Sequence, residues 1–416
     1  MPDTPPSSLY IHIPFCVRKC AYCDFLSFPL GGGEDTSARE EVSTYVEALI
    51  SEIRRMPAWY PDAFSGAKRE AQSGKDAGSG EGNKAAPFPL KTVYFGGGTP
   101  SLLSPGQFRS ILQALKETFG IAEDCEITLE ANPGTIDEKK LSAFAKAGAN
   151  RLSLGIQSLD DAVLTTLGRI HDAETAKRAV RDAKRAGFTN LSCDLMLGIP
   201  GQTLESIKET VGFLLEEKIP HVSLYSLILE EGTPMYARYG GDIEKYVTQE
   251  QDREMYHLVK EILGRYGYVH YEISNMALPG YESRHNMMYW RAENYFACGV
   301  GAHYYLGNER GCHVGTVKEY VKAMGRKDVR KEDVLSVEET LTEEEKMREF
   351  MMLSFRTRNG VSERAFLERF GKSLGSSWGE VLLKETSRGL IEKEGDAYRL
   401  TEKGVDLANQ VFMDYV

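Results

Sequence analysis

The sequence predicts an α/β fold: a partial (β/α)6 barrel, then an α+β extension, then a C-terminal winged-helix-like domain. Two patterns predict the barrel. Short apolar runs alternate with helical stretches between residues 9 and 228, and glycine-rich or polar motifs follow the same end of successive runs. Strict alternation means parallel strands joined by crossover helices, and such a barrel gathers its functional groups at the C-terminal ends of its strands. A third observation sets the limit, because the alternation fades beyond Glu230.

The strands are expected at residues 9–13, 91–95, 126–129, 151–156, 190–196 and 221–228. An amphipathic helix over 44–56 (Tyr45, Val46, Leu49, Ile50, Ile53) follows a break at Gly31-Gly32-Gly33. Further helices are expected at 105–119, 137–147, 160–167 with 173–186, and 203–217. Residues 61–89 carry almost no large apolar side chain, so they read as a mobile surface insertion that buries too little to offset its ordering entropy. Later come a helix at 250–266, a strand at 268–275, an aromatic-rich stretch at 283–307, helices at 343–356 and 363–370, and a terminal hairpin around Gly389 to Gly404. The expected domains are 1–230, 231–335 and 336–416.

Composition narrows the function classes. The 416 residues carry a formal net charge of -11, which argues against a general nucleic-acid or anionic-membrane binder. The start has no basic segment or long apolar run, and no stretch is long and apolar enough for a bilayer, so a cytoplasmic chain is expected. Seven cysteines, three of them clustered, fit reduced thiols serving a metal better than a disulfide framework.

The cluster is Cys16-Val17-Arg18-Lys19-Cys20-Ala21-Tyr22-Cys23. Three thiols at this spacing can close on one soft metal centre. Zinc would need a fourth ligand, His12 or a distant residue, whereas an iron-sulfur cube on three cysteinates keeps one iron open; three structural thiols are the remaining reading. At the strand ends stand Gly96-Gly97-Gly98-Thr99-Pro100, Glu130-Ala131-Asn132-Pro133, Gly155-Ile156-Gln157-Ser158 and Asp194-Leu195-Met196-Leu197-Gly198-Ile199-Pro200. Each polar residue alone could be a helix cap. Together, at one end of the barrel and beside the cysteines, they predict a shared site.

The C-x3-C-x2-C spacing, with Tyr22 before the last cysteine, resembles the radical-SAM signature. That resemblance implies a [4Fe-4S] cluster whose open iron chelates S-adenosyl-L-methionine, with an electron donor for the cluster and a 5'-deoxyadenosyl radical as the reactive product. The strand-end motifs, with Tyr10-Ile11-His12-Ile13-Pro14-Phe15-Cys16 and Gly168-Arg169, are similar to those of the oxygen-independent coproporphyrinogen III oxidase family. By that similarity Cys16, Cys20 and Cys23 hold the cluster. Tyr10, Tyr22, Gly97, Gly98, Thr99, Glu130, Gln157, Arg169 and Asp194 surround S-adenosylmethionine or a second copy of it, with Glu130 meeting the methionine ammonium.

Two departures from the oxidase stand out. Phe25 occupies the position of a further cysteine two residues after the third, and only nine residues precede Tyr10 where the oxidase has a longer extension. Conversely, His285-Asn286-Met287-Met288-Tyr289-Trp290 is similar to the H-N-x-x-Y-W motif of the haem-chaperone branch called HemW. That likeness implies haem binding at His285, with Tyr289 and Trp290 against the macrocycle, and transfer to an acceptor protein, for example a membrane-associated respiratory one. Without the likeness, His285 reads as a satisfied core histidine among core aromatics. His303 and His313 are candidate second ligands. The expected function is therefore a haem chaperone lacking oxidase activity. The alternatives are the oxidase itself and, against the acidic charge, radical modification of tRNA; no nucleic-acid partner is expected.

Overall fold

Side-chain alternation along each strand separates two environments. The computed structural model describes residues 6–30, 36–65 and 89–416. In β1 (Ser8–Ile13), Leu9, Ile11 and Ile13 are fully buried in the apolar core, while the intervening Tyr10 and His12 pair with each other on the opposite face. After the two-residue strands β2 (Phe15–Cys16) and β3 (Phe28–Pro29), the rule recurs. It holds in β4 (Leu90–Gly97), β5 (Ile121–Ala131), β6 (Arg151–Gln157), β7 (Asn190–Leu197) and β8 (His221–Ser226). Val93, Phe95, Leu129, Leu152, Leu154, Cys193 and Val222 pack outward among the helices. Thr92, Tyr94, Glu126, Glu130, Arg151, Ser153, Ser192, Asp194, His221 and Ser223 occupy the other face and fill the barrel lumen with polar groups.

β1, β4, β5, β6, β7 and β8 are parallel neighbours in that order, as the partial barrel requires. The edges are extended by later chain. After β9 (Val269–Glu272), β10 (Asn275–Ala277) adds antiparallel to β8, and β11 (Phe296–Cys298) adds parallel to β1. Among the described residues the sheet runs β11-β1-β4-β5-β6-β7-β8-β10-β9. Residues 268–275 are thus a hairpin rather than the single expected strand. The Glu272 carboxylate turns the chain by accepting the Ser274 amide at 3.1 Å and the Asn275 side chain.

A second sheet joins β12 (His303–Leu306), β13 (Glu309–His313) and β14 (Leu335–Thr340). The C-terminal unit has its own apolar core, including Phe350, Phe355, Phe366, Leu382 and Val411. Its sheet is β15 (Val361–Ser362), β17 (Ala397–Leu400) and β16 (Ile391–Glu394), with helices at Glu343–Phe355, Glu363–Phe370 and Leu374–Ser387. This is the winged-helix-like arrangement expected. The Leu374–Ser387 helix was not foreseen, because its glycines and serines mask the period; Ser373 caps it by accepting the Ser376 amide.

The long helix α1 (Thr36–Trp59) begins before the predicted residue 44. Of the expected insertion at 61–89, Pro61–Ser65 forms a short helix whose Phe64 packs on Phe119 and Phe296. Residues 66–88, and Gly31-Gly32-Gly33, lie outside the described residues. Helix α1 is locked to the second sheet by Glu52, 1% exposed. Its carboxylate accepts from His313 Nε2 at 2.6 Å, the Gly299 amide at 3.1 Å and the Tyr320 hydroxyl.

Glu52→Ala would strand three buried donors. The expected cost is about 3–5 kcal/mol, the range for breaking a buried ion pair by removing one partner. Urea unfolding of the two proteins checks it, and unchanged midpoints would contradict this account of the hub.

Candidate functional site at the barrel mouth

The chain between β1 and β3 carries the three cysteines, and its ends are fixed by backbone bonds. The Phe28 amide donates to the Pro14 carbonyl at 2.7 Å, and the Leu30 amide to the Cys16 carbonyl at 2.8 Å. Its middle is held by neighbouring loops. The Ala21 amide donates to Leu167 O at 3.0 Å, Met235 N donates to Ala21 O at 2.9 Å, and Arg18 Nη2 reaches the Gly168 and Arg169 carbonyls at 2.9 and 3.0 Å. Gly168 has φ +71°, and a Cβ there would lie 3.2 Å from the Ala21 nitrogen, so the Gly168-Arg169 motif serves this close approach.

Beneath the loop is a cavity of about 430 Å3 at the C-terminal ends of the strands. Cys16, Cys20, Cys23, Tyr22, Gly97, Gly98, Thr99, Glu130, Gln157, Arg169 and Asp194 all line it. Thr99 Oγ1 donates to Cys16 Sγ at 3.5 Å and receives Asn132 Nδ2 at 3.0 Å. Arg169 Nη1 donates to Cys20 Sγ at 3.4 Å, while Nη2 reaches Asn132 Oδ1 at 2.5 Å and the Gly155 carbonyl at 2.6 Å. Burial pushes the Cys23 thiol up to about 11, offset in part by the Phe25 amide, and Cys20 and Cys16 add to the rise as like charges. A metal or cluster bound to thiolate must overcome that preference for the proton.

Two carboxylates face the cavity from the strands below. Glu130 accepts from the Tyr94 hydroxyl at 2.6 Å and the Gly97 amide at 3.2 Å. Burial nevertheless raises its pKa to about 7, with the Asp194 charge adding to the rise. Asp194 is also raised by burial, against the pull of Ser223, Arg151 and Ser153; Ser153 Oγ donates to it at 3.2 Å. Gln157 has φ +64°, rare for a residue with a side chain, and its buried Oε1 has no hydrogen-bond partner. An orphaned acceptor beside two proton-hungry carboxylates suits a ligand bearing an ammonium or hydroxyl groups.

The remaining predicted residues lie elsewhere. Tyr10 does not line the cavity: it bonds His12 Nδ1 at 3.1 Å and stacks on Tyr94, with ring centroids 6.2 Å apart. His12 spends its other nitrogen on the Leu26 carbonyl at 2.9 Å, so neither ring nitrogen is free for the thiols' metal. His285 is 1% exposed, stacks on Tyr94 at 5.1 Å, and pairs with Thr92 Oγ1 at 2.8 Å and Tyr289 OH at 2.9 Å. It would reach iron only by giving up one of these bonds. His313 is buried between Glu52 and the Ala302 carbonyl, and His303 is exposed.

Sequence reasoning overlooked Tyr94, Ser153, Asn132 and Tyr225 at or just below the cavity. The available signal was period two: each stands on the polar face of its strand or directly after it.

Residues 81–214 match the Radical SAM superfamily, and residues 341–407 match the HemN C-terminal domain. The chain is 35% identical to Heme chaperone HemW of Lactococcus lactis subsp. lactis over 411 residues, 99% of this chain and 97% of that protein. It is 35% identical to Heme chaperone HemW of Bacillus subtilis over 406 residues, 97% of this chain and 98% of that one. Among solved structures, the coproporphyrinogen III oxidase HemN of Escherichia coli, described as a radical SAM enzyme, aligns at a TM-score of 0.78 and 20% identity. The alignment covers 100% of this chain and 91% of that one, and at such identity it establishes a common fold.

Glu130 gives this site a pH signature in the ligand-free protein. The folded chain keeps the proton to about pH 7, whereas the unfolded chain releases it near the ordinary value of 4.5. Stability therefore falls as pH rises between those values and levels off above them. Glu130→Gln cannot titrate, so its stability relative to wild type should rise across that window. Urea midpoints at several pH values between about 5 and 8 test this, and parallel curves would refute it.

Proposed function

The chain belongs to the HemW family of haem chaperones, and on that premise we propose that it binds haem and passes it to acceptor proteins. It carries a [4Fe-4S] cluster with exchangeable S-adenosylmethionine. The observation that supports this most is the set of three cysteines above a cavity whose floor holds Glu130 and Asp194. In this reading Cys16, Cys20 and Cys23 would hold the cluster through their sulfurs, and the cavity beneath would take S-adenosylmethionine.

The residues present fit such a group. Gly98 lets the glycine turn pack against the start of the cysteine loop, since a Cβ there would sit 2.6 Å from the Phe15 carbonyl. The unpartnered Gln157 Oε1 offers an acceptor. Glu130, ionised on contact with the methionine ammonium, gives its proton to solvent and holds the amine. Asp194 and Gln157 take up hydroxyls, Tyr22 and Thr99 shape the wall, and Arg169 steadies the Cys20 sulfur. When bound, a cluster of this type supplies a single electron to S-adenosylmethionine.

Phe25, 65% exposed at the cavity rim, stands where the oxidase has a cysteine, and the proposed protein does not decarboxylate coproporphyrinogen III. Among the described residues no helix is long and apolar enough to cross a membrane. We place the protein in the cytoplasm, with an electron donor for the cluster and a haem acceptor that can be a membrane-associated respiratory protein.

The test is anaerobic. Rebuilt wild-type protein should show the cluster's visible absorption, and changing Cys16, Cys20 and Cys23 together to Ala should abolish it. Haem should bind at one per chain with a Soret shift, and coproporphyrinogen III with reductant and S-adenosylmethionine should be returned unchanged. Appreciable protoporphyrinogen would make the protein the oxidase instead. Glu130→Gln should weaken S-adenosylmethionine on the order of tenfold, about 1.4 kcal/mol, and remove the gain in affinity that wild type shows as pH rises through neutrality.

A further inference from the structure

The likeness of residues 285–290 to the haem-chaperone motif gives the iron to His285, and it does not say which of the two ring nitrogens takes it. The ring is held on three sides. Its Nδ1 pairs with Thr92 Oγ1 at 2.8 Å, its Nε2 pairs with Tyr289 OH at 2.9 Å, and Tyr94 stacks on its face at 5.1 Å and 27°. The backbone behind it is fixed as well, because the His285 amide donates to Glu126 Oε1 at 3.0 Å.

The two ring hydrogen bonds differ in what it takes to break them. Thr92 stands in β4, paired on one side with β1 and on the other with β5, and is 4% exposed. Its branched side chain is stiff, so its hydroxyl stays where the sheet puts it. Tyr289 lies one turn along the same short helix as His285, and its ring meets His285 and Tyr295 edge-on with centroids 5.1 and 4.8 Å away. Tyr289 and Tyr295 are both partly exposed, so the Nε2 side of the imidazole is the one that faces outward. Rotation of the Tyr289 side chain uncovers Nε2 and moves neither strand nor helix.

The chemistry of the two hydroxyls points the same way. A phenol is the better hydrogen-bond donor and an aliphatic hydroxyl the better acceptor, which assigns the ring proton to Nδ1, shared with Thr92, and the lone pair to Nε2, capped by Tyr289. A bond at one ring nitrogen sets which nitrogen is left for a metal, and here that is Nε2.

We propose that haem iron binds His285 through Nε2, with Thr92 as the positioning residue that fixes the imidazole from behind and Tyr289 in the iron's place until haem arrives. The bond that forms is Nε2 to iron. The bond that breaks is the hydrogen bond from Tyr289, whose hydroxyl keeps its proton. This rests on the haem-carrying reading and adds to it a residue of the barrel sheet, outside the motif helix.

The experiment is a titration of the cluster-loaded full-length protein with haem, followed by absorption and, after reduction of the haem iron, by resonance Raman spectroscopy of the iron–histidine stretch. That band shifts with the hydrogen bond at the opposite ring nitrogen, so it reports on Thr92 in a way that a loosened fold does not imitate. Thr92→Val should lower its frequency and weaken haem binding on the order of tenfold, and Thr92→Ser should restore both. Tyr289→Phe should keep the histidine-ligated spectrum and take up haem faster than wild type. An unchanged band in Thr92→Val would overturn the positioning role, and loss of histidine ligation in Tyr289→Phe would overturn the exchange at Nε2. A wild-type spectrum in His285→Ala would overturn the whole proposal and leave haem carriage standing. No haem uptake by wild type at all would overturn the haem-carrying reading itself.

Discussion

The charge of Arg151, 2% exposed inside the barrel, organises the lumen. Barrels of parallel strands usually fill their interior with branched apolar side chains; here the inward positions carry carboxylates, hydroxyls and imidazoles around one guanidinium. Moving such a cation out of water costs several kcal/mol, so it persists where opposite charges and dipoles answer it. Burial alone would make Glu130 and Asp194 still harder to ionise, and Arg151 pulls both the other way. The same cation acts with burial to depress His221 and His285, the latter to about 3, so both rings stay neutral at ordinary pH. The lumen is thus a fixed positive centre below a mouth that can hold negative charge.

Much of this was legible in the sequence for a simple reason. Outward positions of the strands had to be apolar to pack against crossover helices, so alternation of type marked the strands to within a few residues. The loops at their C-terminal ends carried short, dense motifs, and most of the cavity lining follows from them. Tyr10 stands apart from the cavity lining because a motif identifies a stretch of chain and says nothing about which layer of the lumen a side chain reaches. It falls one layer below the cavity, on Tyr94.

His285 shows a different limit. The motif containing it lies on the short helix Arg284–Trp290, whose first amides are capped by Glu126: Arg284 N at 3.2 Å and His285 N at 3.0 Å. That capping is a contact across about 160 residues of chain, set by the barrel's closure and invisible to local pattern. The bond distances explain why those residue types stand there even before haem is considered. His285 completes the hydrogen bond of the Thr92 hydroxyl, Tyr289 satisfies the other ring nitrogen of His285, and the helix closes the floor of the lumen.

The floor helix also reaches outward. Trp290 at its far end lies under the Arg356 guanidinium, 4.4 Å from the ring centroid, and the adjoining Arg291 and Ala292 carbonyls receive Arg369 of the C-terminal unit. A helix of this size is a stiff rod about 10 Å long, anchored by Glu126 at one tip and by the tail at the other. Any tilt of the tail is therefore a lever on the base of the barrel.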